Sequence, residues 1–167
     1  MGDRIAILKD GFLQQVDDPI TVYDCPKNKF VAGFIGSPPM NFMTGRIINK
    51  EGRLYFNEDS IEVKLVEDMY KKLLPYLDKQ VIFGIRSEDI YDKLFISEAP
   101  PGNIVRATCE VVEPMGSEVY LHLNTGRHTF IARVGAHDRP QVNQDLEVVF
   151  DMSKVHFFNK DTEETIA

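Results

Sequence analysis

The sequence predicts a mainly β protein: a small barrel of short strands with one amphipathic helix, preceded by a hairpin-helix unit. Three observations carry this. From Met43 onward, short apolar runs alternate with turns bearing glycine and proline, the texture of a closed all-β domain rather than of a parallel α/β sheet. Only Val66 to Leu77 within that region has helical spacing. Before it, Gly36-Ser37-Pro38-Pro39 breaks the chain, because two prolines fix φ, supply no amide donor, and push Ser37 out of the α region.

In chain order, Arg4 to Leu8 and Phe12 to Val16 are short runs flanking Lys9-Asp10-Gly11, a hairpin signal. Asp18 is placed to cap a short helix with Pro19 in its first turn, Ile20 and Tyr23 sharing a face, and Pro26 as its stop. Phe30, Val31, Phe34 and Ile35 predict a second short helix ended by Gly36. Met40 and Phe42, flanking Asn41, should anchor the far end of the connector in a second apolar core. Arg46 to Ile48 and Leu54 to Phe56 form a hairpin around Gly52, and Ile61, Val63 and Leu65 alternate with Glu62 and Lys64 as a half-buried strand. Val66 to Leu77 places Met69, Leu73, Leu74 and Leu77 on one helical face, with Pro75 in its last turn. Val81 to Ile85, Gly102 to Val112, Val119 to Leu123, Phe130 to Val134, Leu146 to Phe150 and Val155 to Phe158 complete the strands. Phe56, Phe83, Phe130 and Phe150 fall inside strand patterns and read as core, not as a stacking platform.

Composition narrows the functional classes. A formal net charge of -7 opposes polyanions, so nucleic acid is not an expected partner. No apolar run approaches the roughly 20 residues a membrane-spanning helix needs. Cys25 and Cys109 form no CxxC pair, and His122, His128, His137 and His156 have no helical i, i+4 spacing and no neighbouring cysteine, so no metal site is predicted. Ser37, Ser87 and Ser117 lack the glycine frame of a nucleophile elbow. The acidic pairs Glu88-Asp89 and Glu163-Glu164 read as solvated turns. Arg86, with Glu88 and Glu118, is expected to pin two loops by charge-assisted bonds, the sharper alternative being a ligand carboxylate or phosphate on Arg86. Catalytic, cofactor-binding and metal residues are therefore all expected to be none.

Several phrases are more specific. Asp3-Arg4-Ile5-Ala6, Asp10-Gly11, Gln14-Gln15, Pro19, Tyr23, Pro26, Asn28 and Phe30-Val31-Ala32 lead into Gly36-Ser37-Pro38-Pro39-Met40-Asn41-Phe42. Gly84-Ile85-Arg86-Ser87-Glu88-Asp89-Ile90, Glu113-Pro114-Met115-Gly116-Ser117-Glu118 and His156-Phe157-Phe158 follow in order. This series closely resembles the C-terminal part of the ATP-binding subunit of carbohydrate-importing ABC transporters, the maltose and glycerol-phosphate importer type. Two departures are Asp17, where that family usually has glycine, and Ser87, where it has proline.

The resemblance implies residues 1–36 as the end of a nucleotide-binding domain, 37–42 as a hinge together with Gly36, and 43–167 as a regulatory, transport-associated OB-type domain. It marks Arg86, Glu88, Asp89, Glu113, Gly116, Ser117, Glu118 and His156 as regulatory-domain motif positions. The chain contains no G-x-x-x-x-G-K-[ST] loop to cradle phosphates, and the family's signature motif, Walker B carboxylates and switch histidine are absent too. It is thus expected to be no enzyme and to need no cofactor, with Mg-ATP belonging to the parent protein, an ABC-type ATPase. The implied function is to hold the ATPase pair together and receive regulatory partners: a homodimer through the regulatory domain, transporter membrane subunits reached via the parent, and a cytoplasmic address at the inner face of the membrane. The rival from another class is a stand-alone OB-type module binding a small anion or sugar. A start inside the catalytic domain would also orphan the first hairpin, leaving Met1 to Gly36 mobile or paired with a second chain.

Overall fold

The computed structural model describes residues 2–96, 98–136 and 140–167. His137, one of the histidines weighed above, lies outside them. The first unit is a two-stranded sheet, β1 (Ile5–Lys9) against β2 (Phe12–Asp17), followed by α1 (Pro19–Asp24) and α2 (Lys29–Phe34). Asp10 and Gly11 both take positive φ at the hairpin turn, which asparagine-like and glycine residues tolerate best. The Asp18 carboxylate accepts from the N–H groups of Ile20 and Thr21, and the Asn28 side chain accepts from Val31, so each helix starts on a side-chain cap. Ile7, Val22 and Val31 are buried together, with Ile5, Phe30 and Ile35 against them. The expected stripe of α2 is only partly inward: Phe34 is 62% exposed and stacks on Phe30.

The remainder is mainly β, as the sequence predicts. β3 (Asn41–Lys50), β4 (Arg53–Asn57), β5 (Glu62–Lys64), β6 (Gln80–Ile85) and β12 (His156–Asn159) form a sheet in the order β12-β6-β3-β4-β5. β7 (Ile90–Asp92), β8 (Ile104–Pro114), β9 (Glu118–Asn124), β10 (Thr129–Gly135) and β11 (Asp145–Phe150) form the second, in the order β10-β9-β8-β11-β7. Neighbours within both sheets pair antiparallel. Between them lies one apolar core, in which Phe83 meets Phe56, Phe157 and Phe150 at ring-centroid distances of 4.8, 5.5 and 6.0 Å. Each fully buried phenylalanine contributes about 1.5–3 kcal/mol of transfer free energy.

The predicted helix over Val66 to Leu77 is helical but not one α-helix. Glu67–Met69 and Leu74–Tyr76 are 3-10 turns, and α3 proper is Tyr70–Leu73. Pro75 supplies no amide and its ring crowds the preceding turn, so the α ladder cannot run through it. Leu73 is buried, and Leu74 is 51% exposed.

The first unit is not left unattached. Met40 and Phe42 join Ala32, Ile82 and Phe158 in a small core that straddles the connector, as the sequence leads one to expect. At the opposite end of the chain, residues 164–167 cover the outer edge of β12: Phe157 donates to the Ala167 carbonyl at 2.7 Å, Ile166 to the Phe157 carbonyl at 2.7 Å, and Asn159 to the Glu164 carbonyl at 2.8 Å. The same tail reaches the α1–α2 connection, where Lys29 N–H donates to the Glu163 carbonyl at 2.9 Å and Thr165 N–H to the Lys27 carbonyl at 3.0 Å. The Thr165 hydroxyl donates to the Pro26 carbonyl at 2.5 Å, and Lys29 forms an ion pair with Glu163. These bonds tie the α1–α2 connection to the barrel, while β1 and β2 form a separate two-stranded sheet that pairs with neither barrel sheet.

Candidate functional site at the junction of the two units

Arg86, at the end of β6, is 4% exposed. Its guanidinium donates from one terminal nitrogen to the Ile35 carbonyl at 2.7 Å and from the other to the Tyr23 carbonyl at 2.6 Å. Ile35 is the C-cap of α2 and Tyr23 lies in the last turn of α1, so both carbonyls are among those a helix end leaves unpaired. The guanidinium carbon also stacks over the Tyr23 ring, 3.6 Å from its centroid. The sequence expectation that Arg86 bonds Glu88 and Glu118 is corrected. Glu88 accepts from the Ser87 hydroxyl, Glu118 faces Arg133 at 3.8 Å, and Arg86 makes no direct ion pair among the described residues. The planar fork of an arginine suits two carbonyls on different elements as well as it suits one carboxylate; hence the sequence alone did not decide between them.

Gly36 closes the same contact. Its φ is +121°, and a Cβ there would lie 2.9 Å from an Arg86 terminal nitrogen. The adjoining Ser37-Pro38 peptide is cis. Asn41, at the far end of the connector, forms an amide-to-peptide pair: its side chain donates to the Ile131 carbonyl at 2.9 Å and accepts from the Ile131 N–H at 2.8 Å. It thereby satisfies main-chain groups on β10, the outer strand of its sheet.

Beneath Arg86 a cleft of about 260 Å³ is lined by Tyr23, Asp24, Glu88, Asp89, Lys154 and His156, among others. Burial and the Arg86 charge lower the pKa of His156 to about 4, so the ring is neutral at pH 7. Burial, with Glu88 and Asp151 nearby, raises Asp89 to about 6. Burial also lowers the pKa of Arg86, opposed by the carboxylates of Asp89 and Asp24.

Of the motif positions, Arg86, Glu88, Asp89 and His156 meet around this cleft. Glu113, Gly116, Ser117 and Glu118 do not join them; they form the β8–β9 hairpin, where Gly116 has φ +93° and Met115 N–H donates to the Glu118 carbonyl. Glu113 faces His122 at 3.1 Å. His128 Nε2 lies 3.0 Å from one oxygen of the fully buried Glu58 carboxylate; the other oxygen accepts from Ser60, whose hydroxyl also meets that of Thr125 at 2.9 Å and so links the β4–β5 turn to the β9–β10 turn. No signal in the sequence singled out Glu58. The sequence places Tyr23 on one face of α1 with Ile20 and among the family-like positions, but gives no sign of its stacking on Arg86; Ile20 itself is exposed.

A larger open groove of about 870 Å³ runs past β8 and β11. Its charges are already matched internally: Glu147 pairs with both Lys93 and Arg106, Thr108 donates to Asp145 at 2.6 Å, and Asn124 donates to Glu110 at 2.6 Å. Among the described residues no three metal-ligating side chains converge, and no helix is long and apolar enough to cross a membrane.

Two family models match in tandem: the MalK OB fold domain over residues 36–90 and the TOBE domain over residues 99–157. The chain is 47% identical over 169 residues to a trehalose/maltose import ATP-binding protein, MalK, of Thermococcus litoralis, covering 99% of this chain and 45% of that protein. It is 39% identical to an oligosaccharides import ATP-binding protein, MsmX, of Bacillus subtilis, covering 98% of this chain and 44% of that one. The chain thus spans a little under half the length of these relatives. In fold alone it is similar to the cytoplasmic molybdate-binding protein ModG, with a TM-score of 0.55 at 14% identity over 70% of this chain and 94% of that one. With the MalK OB fold and TOBE domains side by side behind the bonded junction, this chain belongs to the family of sugar-importing ABC transporter ATP-binding subunits.

Proposed function

We propose that residues 43–167 act as the regulatory and dimerisation domain of such a subunit, with 1–36 the end of its nucleotide-binding domain and 37–42 the hinge between them. The observation that carries this reading is the tandem match of both domain models, flanked by a first unit that is bonded to the barrel through Arg86 and the C-terminal tail. In this account the parent protein binds and hydrolyses Mg-ATP at the inner face of the membrane, beside the transporter's membrane subunits. This chain supplies no phosphate loop to that chemistry; its contribution is mechanical, keeping two copies together as their catalytic domains open and close. Regulatory partners would be received on the barrel.

Light scattering across a dilution series tests the pairing. The expected result is a reversible rise from the 19.1 kDa monomer to twice that mass, the isologous arrangement most soluble homo-oligomers use. A monomeric mass at every concentration overturns the dimerisation role. Titration of the chain with Mg-ATP is expected to give no saturable heat, and micromolar binding would overturn the division of labour between this chain and its parent.

A further inference from the structure

We propose that Arg86 is a positioning residue that latches the first unit against the barrel, the unit pivoting on the C-terminal tail when the latch opens. The attachments differ in kind, and the small core of Ala32, Met40, Ile82 and Phe158 lies on the tail side, since Phe158 belongs to β12. At the tail, the α1–α2 connection is tied by main-chain bonds from Lys29 N–H to Glu163 and from Thr165 N–H to Lys27, an arrangement that resists separation in line with the strands. At the latch, one side chain bonds two carbonyls from two different helices, Tyr23 in α1 and Ile35 in α2, at 2.6 and 2.7 Å.

The latch has three properties that fit it for a reversible role. It is held by carbonyl dipoles and a ring face rather than by a direct carboxylate partner, so opening it separates no ion pair. It is fitted to its surroundings, since Gly36 leaves the space a side chain would need. It borders an existing cleft of about 260 Å³ whose lining is mostly polar and charged and lies almost wholly outside the main apolar core. Arg86 directly follows β6, whose last residue Ile85 pairs with Asn41 on β3, so a tilt of α1 and α2 is delivered to the sheet's end. The mechanics stand on this geometry; their regulatory meaning rests on the function proposed above.

The test is a spin-label distance measurement on the whole chain. In a Cys25→Ser, Cys109→Ala background, labels are placed at Ile20→Cys, 72% exposed on α1, and at Lys72→Cys, exposed on α3. One narrow distance is expected with Arg86 present. Arg86→Met should broaden the distribution at least twofold, and Arg86→Lys, which reaches one carbonyl but not both, should give an intermediate width. Gly36→Ala, which crowds the guanidinium from the other side, should broaden it as well. Distances at unchanged barrel near-ultraviolet circular dichroism exclude a folding defect as the cause. A distribution as narrow in Arg86→Met as in the parent overturns the latch. With the doubly labelled chain diluted into an excess of unlabelled chain, only distances within one copy are read whatever the mass in solution, so a failed latch and a failed dimerisation role give different results.

Discussion

Replacing Asp89 by asparagine should reveal a pH dependence that the native cleft conceals. His156 and Asp89 border the same cleft, and their shifts oppose one another. The His156 pKa falls from 6.5 to about 4 on folding, so the unfolded chain takes up that proton first. Its contribution is fully present above pH 6.5 and is lost as the pH falls towards 4. Asp89 rises from 3.8 to about 6, so the folded chain takes up that proton first. Its contribution is fully present below pH 3.8 and is lost as the pH rises through 6. At 1.36 kcal/mol per pKa unit, each group is worth at most about 3 kcal/mol over its window, with opposite sign. In the native chain the two therefore nearly cancel between pH 6.5 and 4. Asp89→Asn removes one side of the balance. Urea unfolding of parent and variant at pH 7, 6, 5 and 4.5 measures the difference, with Glu88 and Asp151 the neighbouring carboxylates that also feel the loss of the Asp89 charge. The variant should lose about 2 kcal/mol relative to the parent on going from pH 7 to pH 4.5. Parallel stability profiles would refute the reasoning, and so would a variant that gains on acidification.

Asn41→Ala should cost about 2 kcal/mol, the penalty of leaving two main-chain groups of Ile131 without their partner, and should raise the amide exchange rate of Ile131 well above that of its β10 neighbours. Cys25 is exposed, whereas Cys109 is buried with its thiol pKa raised by burial. A thiol reagent should accordingly titrate one cysteine rapidly in the native chain and the second only on unfolding.

What the sequence disclosed and what it withheld follow from the range of the forces involved. The hairpin at Asp10-Gly11, the caps at Asp18 and Asn28 and the alternation of Val63 and Leu65 with polar neighbours are decided within a few residues, and each appears where the local chemistry puts it. Nothing local marks β7 as a strand, because Ile90–Asp92 is three residues long and its pairing partner, β11, lies more than fifty positions away. β3 begins at Asn41 rather than near Arg46 because its early residues, Asn41 to Gly45, pair with β6, a partner some forty positions away. At the junction, the importance of Arg86 was legible but its partners were not. Carbonyl groups carry no side-chain identity, so nothing in a sequence distinguishes the ones at Tyr23 and Ile35 from any others. The tail residue Thr165, bonded to Pro26 at 2.5 Å across most of the chain, is hidden for the same reason.

The pairing of Asn41 with Ile131 has a consequence for how far the two units can travel. By fixing the chain to β10 at that residue, and with α2 ending at Ile35, it leaves Gly36, Ser37, Pro38, Pro39 and Met40 as the whole free tether, and Met40 is buried beside Phe158. The four remaining residues extend at most about 14 Å, and two of them are prolines with little torsional freedom. The first unit is consequently on a short leash: it can rock or tilt against the barrel, but it cannot swing to another face of the molecule, so any movement is confined to one arc about a fixed anchor.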